Sequence, residues 1–267
     1  MWPVAVITFL EGIRSRLFFG VFLFSFLIMG MSLVFVNLFM HNLSKIAVDF
    51  NLSSISFAGL LISLSLTVNL VSKDIQSRTI YFVLSKPISR ASYIFGKFVG
   101  VSLLTFVTYL VLTICATLTL LFLKFQIASG FNNFSWLACG QAVFLDFIKI
   151  SLFNGLIIFL STITSSSFIT MLFGIALYVI GQSLSTVVAY LSLGQTSIVS
   201  VPTSIAPIVT VLNYLLPNFS IFDNKILAAH GITLSLSEML LFTGYGIGYT
   251  TMLLSLAAWI FSKKELS

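Results

Sequence analysis

The chain has 267 residues, 58% of them hydrophobic and 15% aromatic, and its 13 Lys/Arg and 7 Asp/Glu make only 7% of it charged. A soluble domain carries about 25% charged residues, so a mean hydropathy of +1.13 excludes a soluble globule and a disordered tail. The apolar stretches run unbroken for about 20 residues instead of alternating, which excludes a β-barrel and leaves an all-α, polytopic membrane protein.

Residues 3–16 are too short to span. They set Glu11, Arg14 and Arg16 beside Ile7, Leu10 and Ile13, the pattern of a helix lying in the membrane interface; a plain positive flank of the first span is the simpler alternative. No short apolar run followed by a small-residue cleavage site is present, so the first helix is expected to stay in the mature protein. Uncharged runs then predict six transmembrane helices, over residues 17–40, 50–72, 98–122, 136–160, 168–190 and 239–262. In the second, Ser56, Ser63 and Thr67 share a face and Asn69 lies on another. Such small polar residues serve helix packing as well as a substrate path.

Residues 73–97 form the loop densest in charge. Asp74 and Arg78 are spaced i,i+4 for a helical pair, and Pro87 stops that helix near Ser85 and Lys86. Between them lies an apolar group, Ile80 to Leu84, rimmed by charge; it is a partner surface or a segment that dips into lipid headgroups. Cys115 and Cys139 have neither metal spacing nor a disulfide framework and read as small buried hydrophobes.

In the fourth span Asp146 and Lys149 sit i,i+3. An unpaired charge in lipid is costly, so they read either as a mutual ion pair near the outer end or as a polar site facing a substrate path or a partner subunit. A turn is expected at 161–167, where Ser and Thr cluster. Residues 191–238 are too apolar for a solvated loop and too broken by Pro202, Pro207 and Pro217 to span. They fit outer re-entrant helices sheltered by protein, or a plain cap on the neighbouring helices. Gly174 and Gly181, and the Gly244/Gly248 pair in the sixth span, suit close helix contact.

Nine Lys/Arg fall in segments on the side of the termini (Arg14, Arg16, Lys73, Arg78, Lys86, Arg90, Lys97, Lys263, Lys264) and three opposite (Lys45, Lys124, Lys225), which predicts both termini in the cytoplasm. The net charge of +6 thus belongs to orientation, and nucleic acid is not an expected partner. His41 and His230 both fall in outer loops, away from any Cys or carboxylate in sequence, and no nucleophile, base or metal set can be assembled.

Three patches carry a family resemblance: TFLEGIRSRLF near the start, DIQSRTIYFVLSKPISRASYIFGKFVG in the charged loop, and YLLPNFSIFD with GYGIGYTTMLLSLAAWIFSKKEL toward the end. The chain resembles the permease subunit of an ABC transporter of the ABC-2 (type V, exporter-like) class, in the branch similar to permeases for multicopper-enzyme and nitrous oxide reductase maturation. Asp74 stands where Glu is usual and Lys263 and Lys264 where Arg is. The resemblance implies a single transmembrane domain in the inner membrane of a bacterium. It implies a homodimer that binds two cytoplasmic ATP-binding subunits and works with a periplasmic accessory protein.

By the same resemblance, Ser77, Arg78, Thr79, Ile80, Tyr81, Phe82, Leu84, Ser85 and Lys86 form the coupling helix, Glu11, Arg14 and Arg16 belong to the interfacial helix, and Pro217, Asn218 and Phe219 to the outer gate. The sequence holds no G-x-x-x-x-G-K-[ST] string: Gly96-Lys97 is followed by Phe98, and Ala91 stands where the first Gly belongs. ATP and Mg are therefore expected on another chain, with no cofactor on this one. The alternative is a stand-alone secondary transporter or channel. A coupled carrier usually shows several ionisable groups in its spans, and here only Asp146 and Lys149 fall within them.

Overall fold

The computed structural model describes residues 1–38, 43–72, 89–126, 134–164, 166–193, 211–212 and 216–263. The expected coupling residues Ser77 to Lys86, and His41, lie outside these. The described chain is all-helical: α1 (Trp2–Arg14), α2 (Arg16–Leu38), α3 (Leu43–Ile62) continuing as a π-helix (Ser63–Ser72), α4 (Arg90–Gln126), α5 (Trp136–Ile163), α6 (Ser167–Leu193), a 3-10 turn (Ser220–Phe222), α7 (Lys225–Ala229) and α8 (Leu236–Lys263). Among the described residues five helices are long and apolar enough to cross a membrane, and a sixth span results if α1 and the α2 segment Phe18–Val34, bent by 59° from each other, count together.

Two buried clusters define the ends of the bundle. At the end holding the start of α1 and the last turns of α8, Val4, Tyr93, Ile94, Ile158, Leu254, Ala257 and Phe261 pack together. At the distal end Ala47, Val48 and Leu52 meet Leu120, Leu123, Ala138, Cys139 and Ala228. Buried α5 is the central post, packed on α3, α4, α6 and α8. Its neighbour α6 lies at the periphery, with Phe168, Leu172, Phe173 and Val179 exposed; side chains with no water to avoid lose nothing by facing outward in a bilayer.

Several helices run past the limits that charge suggests. α4 begins at Arg90, well inside the expected 73–97 loop. Ser89 caps it by accepting a hydrogen bond from the Ser92 N–H at 3.2 Å, and the Arg90 guanidinium donates to the Phe261 carbonyl at 2.9 Å at the last turn of α8. Charges mark where lipid ends, whereas a helix ends where its caps are. α3 likewise starts at Leu43, within the expected outer loop 41–49, because Ala47 and Val48 have a core to enter. α8 starts at Leu236, set by a capping box in which the Glu238 N–H donates to Ser235 Oγ at 3.3 Å and the Ser235 N–H to Glu238 Oε2 at 2.9 Å.

α1 packs on α4 through Val4, Ala5, Thr8 and Gly12. The close approach requires Gly96 and Gly100, where a Cβ would lie 2.9 Å from the Met1 carbonyl oxygen and 2.7 Å from that of Ala5. Ile7, Leu10, Glu11 and Arg14 all remain exposed, so the small-residue face packs, and of the Ile7/Leu10/Ile13 stripe Ile13 alone is half-buried, beside Leu66 and Leu104. Arg16 opens α2 after a break at Ser15, which is in extended conformation. Cys139 is buried and Cys115 partly so, both as free thiols.

Candidate functional site

Three polar nodes are threaded through the apolar interior, each joining α3 or the π-helix that continues it to its neighbours. In the first, Thr119 donates to Asn51 Oδ1 at 2.8 Å and Asn51 Nδ2 donates to Ser32 Oγ at 3.3 Å, linking α4, α3 and α2. The second holds the charged pair of α5. Lys149 Nζ lies 2.5 Å from Asp146 Oδ1, Ser56 donates to the same oxygen at 2.8 Å, and Tyr109 donates to Oδ2 at 2.6 Å. Lys149 also donates to Ser56 Oγ at 3.3 Å.

The third node centres on Asn154, which accepts from Ser63 at 2.5 Å and Thr67 at 3.0 Å and donates to Thr105 at 3.3 Å. Asp146 and Asn154 are two turns apart on one face of α5, as Thr105 and Tyr109 are one turn apart on α4. The nodes therefore stack in register, about 18 Å from Asn51 to Ser63 along α3.

Asp146 lies about 15 Å along α5 from Trp136, deeper than an outer-end position, and both charges are buried. A charged group at this depth costs several kcal/mol when alone. Here the carboxylate has three donors and the pair is formally neutral, which is the arrangement that makes burial tolerable. Asn154 makes a contrast, because each hydroxyl around it can fall back on a backbone carbonyl, as Thr105 already does toward Val101 at 2.9 Å. Asn154→Leu is accordingly expected to cost only about 1–2 kcal/mol, readable as a small loss in reversible unfolding in bicelles.

The segment after the break at Pro217 enters the bundle beside this column. Phe219 and Phe222 are fully buried, Phe219 against Phe153 and Tyr178 and Phe222 against Tyr245. Its backbone is tied to two helices: the Phe219 N–H donates to the Gly181 carbonyl at 3.1 Å, and the Asn218 N–H to the Tyr245 hydroxyl at 3.0 Å. Asn218 Oδ1 accepts from the Ser220 N–H at 3.1 Å and its hydroxyl at 2.7 Å. At the distal end Gln141 Nε2 donates to the Leu234 carbonyl at 3.1 Å. Phe153, the partner of Phe219, is 12 residues further along α5, so the segment reaches about 18 Å below that level.

The sequence points to Asp146, Lys149, Ser56, Ser63 and Thr67, and the structure brings these together in the second and third nodes. It points also to Pro217, Asn218 and Phe219, which sit together against α6 and α8. Asn69 lies apart, exposed, donating to the Ser65 carbonyl. His230 is exposed and within reach of the Ile226 carbonyl. A methyl group placed on Gly244 or Gly248 would have no described atom within 4 Å, so these two glycines make no close helix contact among the described residues. Tyr109, Asn154, Asn51 and Thr119 are missed by sequence reasoning. For Asn154 alone there is a usable signal, since it stands two turns from Asp146 on the same helix.

No group of three His, Cys, Asp or Glu among the described residues could hold a metal ion, and the site's chemistry is that of hydrogen bonding and one buried ion pair within a helix bundle. No curated protein matches the chain. A family described as ABC-2 family transporter protein matches residues 2–266, nearly the full length. The chain therefore belongs to the ABC-2 transporter family, and its apolar bundle is a multi-pass membrane permease of an ABC transporter.

Proposed function

We propose that this permease moves its substrate outward across a bacterial inner membrane with energy from a separate ATP-binding subunit, two copies of each chain forming the transporter. The observation that carries the reading is the position of α3 and α4. α3 with its π-helical continuation, and α4, flank residues 73–88 and also hold one side of all three polar nodes. At the inner end they are latched together, since buried Lys97 of α4 donates to the Leu70 carbonyl in the π-helix at 2.8 Å. A push on residues 77–86 from the cytoplasm is then delivered to the two helices that grip Asp146 and Asn154.

In this reading both termini are cytoplasmic, α1 lies in the inner interface, and the segment around Pro217, Asn218 and Phe219 dips from the outer face and closes the outer mouth. The ATP-binding subunit seats the apolar group from Ile80 to Leu84, with Arg78 and Lys86 on its rim. Mg and ATP stay on that subunit.

Replacing Tyr81 and Phe82 with Asp puts charge into a surface that must be desolvated. The expected result is a permease inserted at normal level that no longer retains the ATP-binding subunit on purification, or retains it with transport reduced at least tenfold. Unchanged assembly together with unchanged transport would overturn the assignment of this loop.

A further inference from the structure

A cavity of about 400 Å³ opens between α2, α3, α6 and α7, above the second polar node. This is within the size range of small-molecule sites, which combine apolar walls with a few placed polar groups. Its lining has both. Ser53, Ser54, Ser56, Tyr178 and Lys225 are the polar members, and Phe57 and Leu60 are among the apolar ones. Phe57 is also exposed on the bundle surface, against Phe24 of α2, so the cavity opens sideways toward the lipid phase.

Lys225 is the charged side chain of the lining. No carboxylate lines it among the described residues. The Lys225 ammonium forms a long ion pair with Asp223 Oδ1, at 3.8 Å, beyond hydrogen-bond distance, while Asp223 Oδ2 accepts from Gln182 Nε2 at 3.0 Å. A primary ammonium has three N–H donors. The ion pair with Asp223 occupies at most one side of the Lys225 ammonium, so the remaining N–H donors can turn to a ligand, as can the Ser53 hydroxyl. Ser56 also lines the cavity, and its hydroxyl donates to Asp146 and accepts from Lys149.

We infer that this cavity binds the head of an anionic amphiphile, a single negative phosphate or carboxylate held by Lys225 and the Ser53 hydroxyl, with its hydrocarbon chain lying along Phe57 and Leu60. The inference rests on the permease reading for its meaning, as the substrate class of the transporter, but the binding itself needs no ATP-binding subunit. A ligand seated on Ser56 would bear directly on the buried ion pair, which joins occupancy of the cavity to the helices that carry the cytoplasmic loop.

The test uses the full chain purified in a neutral detergent, with labelled lysophosphatidylglycerol as probe and lysophosphatidylcholine of the same chain length and free glycerol phosphate as competitors. Saturable binding of the anionic lysolipid is expected, with the zwitterionic one and the free head group each at least tenfold weaker. Lys225→Gln should lower affinity for the anionic probe about tenfold, and Lys225→Arg should retain it. Equal binding of the two lysolipids, or an undiminished affinity in a folded Lys225→Gln protein, would overturn the anionic site. Free glycerol phosphate binding as tightly as the lysolipid would overturn the amphiphile. Because no ATP-binding subunit is present, failure here leaves the coupling of residues 77–86 untouched, and failure of coupling leaves this binding measurable.

Discussion

Asp146→Leu should lower the stability of the permease by roughly 3–5 kcal/mol, much of the 5–15 kcal/mol that holds a typical domain folded. The substitution strands the Lys149 ammonium, which is 1% exposed, and removes the acceptor used by both Ser56 and Tyr109. Lys149→Met should be damaging for the converse reason, though less so, because two hydroxyls still donate to the carboxylate. The double variant, Asp146→Leu with Lys149→Met, should recover most of the loss, since replacing a whole buried pair by apolar residues is often neutral. Unfolding of the three proteins in a common detergent decides the matter. A double variant as unstable as the worse single one would show that the site is held by shape and not by charge balance.

Gly181→Val is expected to leave the bundle inserted but to displace the Pro217 segment. A methyl at this position would stand 2.5 Å from the Pro217 carbonyl oxygen and 2.7 Å from the Phe219 ring. Neither can yield easily, because Phe219 is wedged between Phe153 and Tyr178. Overpacking of this kind costs about 1–3 kcal/mol, which the segment can escape by moving outward and giving up its hydrogen bond to the Gly181 carbonyl. If that segment closes the outer mouth, proteoliposomes of the variant should leak a small solute and transport should fall at least tenfold. Gly244→Val is the control, having open space around it, and should behave as wild type. Tight vesicles with normal transport in the Gly181 variant would remove the gate from the mechanism.

The comparison of these glycines shows where sequence reading stops. Gly174, Gly181, Gly244 and Gly248 look alike in an apolar run, and only the arrangement of neighbours decides that Gly181 meets another backbone while Gly244 and Gly248 face outward. The membrane-spanning helices themselves were legible, because the absence of charge over about 20 residues is itself the physical requirement for crossing lipid. Their true ends were less so: Arg90 and Lys97 are charged yet helical, held by Ser89, by the end of α8 and by the Leu70 carbonyl. The pairing of Asp146 with Lys149 could be read because both lie on one helix at a fixed spacing. Tyr109 could not, since its contact crosses from α4 to α5, and no spacing rule singles out one tyrosine in a chain with 8 Tyr and 28 Phe.

That intrahelical pairing has an electrical consequence. A membrane potential does work of about 2.3 kcal/mol per elementary charge per 100 mV on any charge carried across it. Asp146 and Lys149 ride on the same helix, one turn apart, so whatever α5 does during a cycle moves a plus and a minus together through nearly the same fraction of the field. The voltage terms cancel. Had the partners stood on different helices, each stroke that separated them would have charged or discharged the bilayer like a small capacitor. This permease keeps a polar contact at its centre while its central post remains indifferent to the potential of the membrane around it.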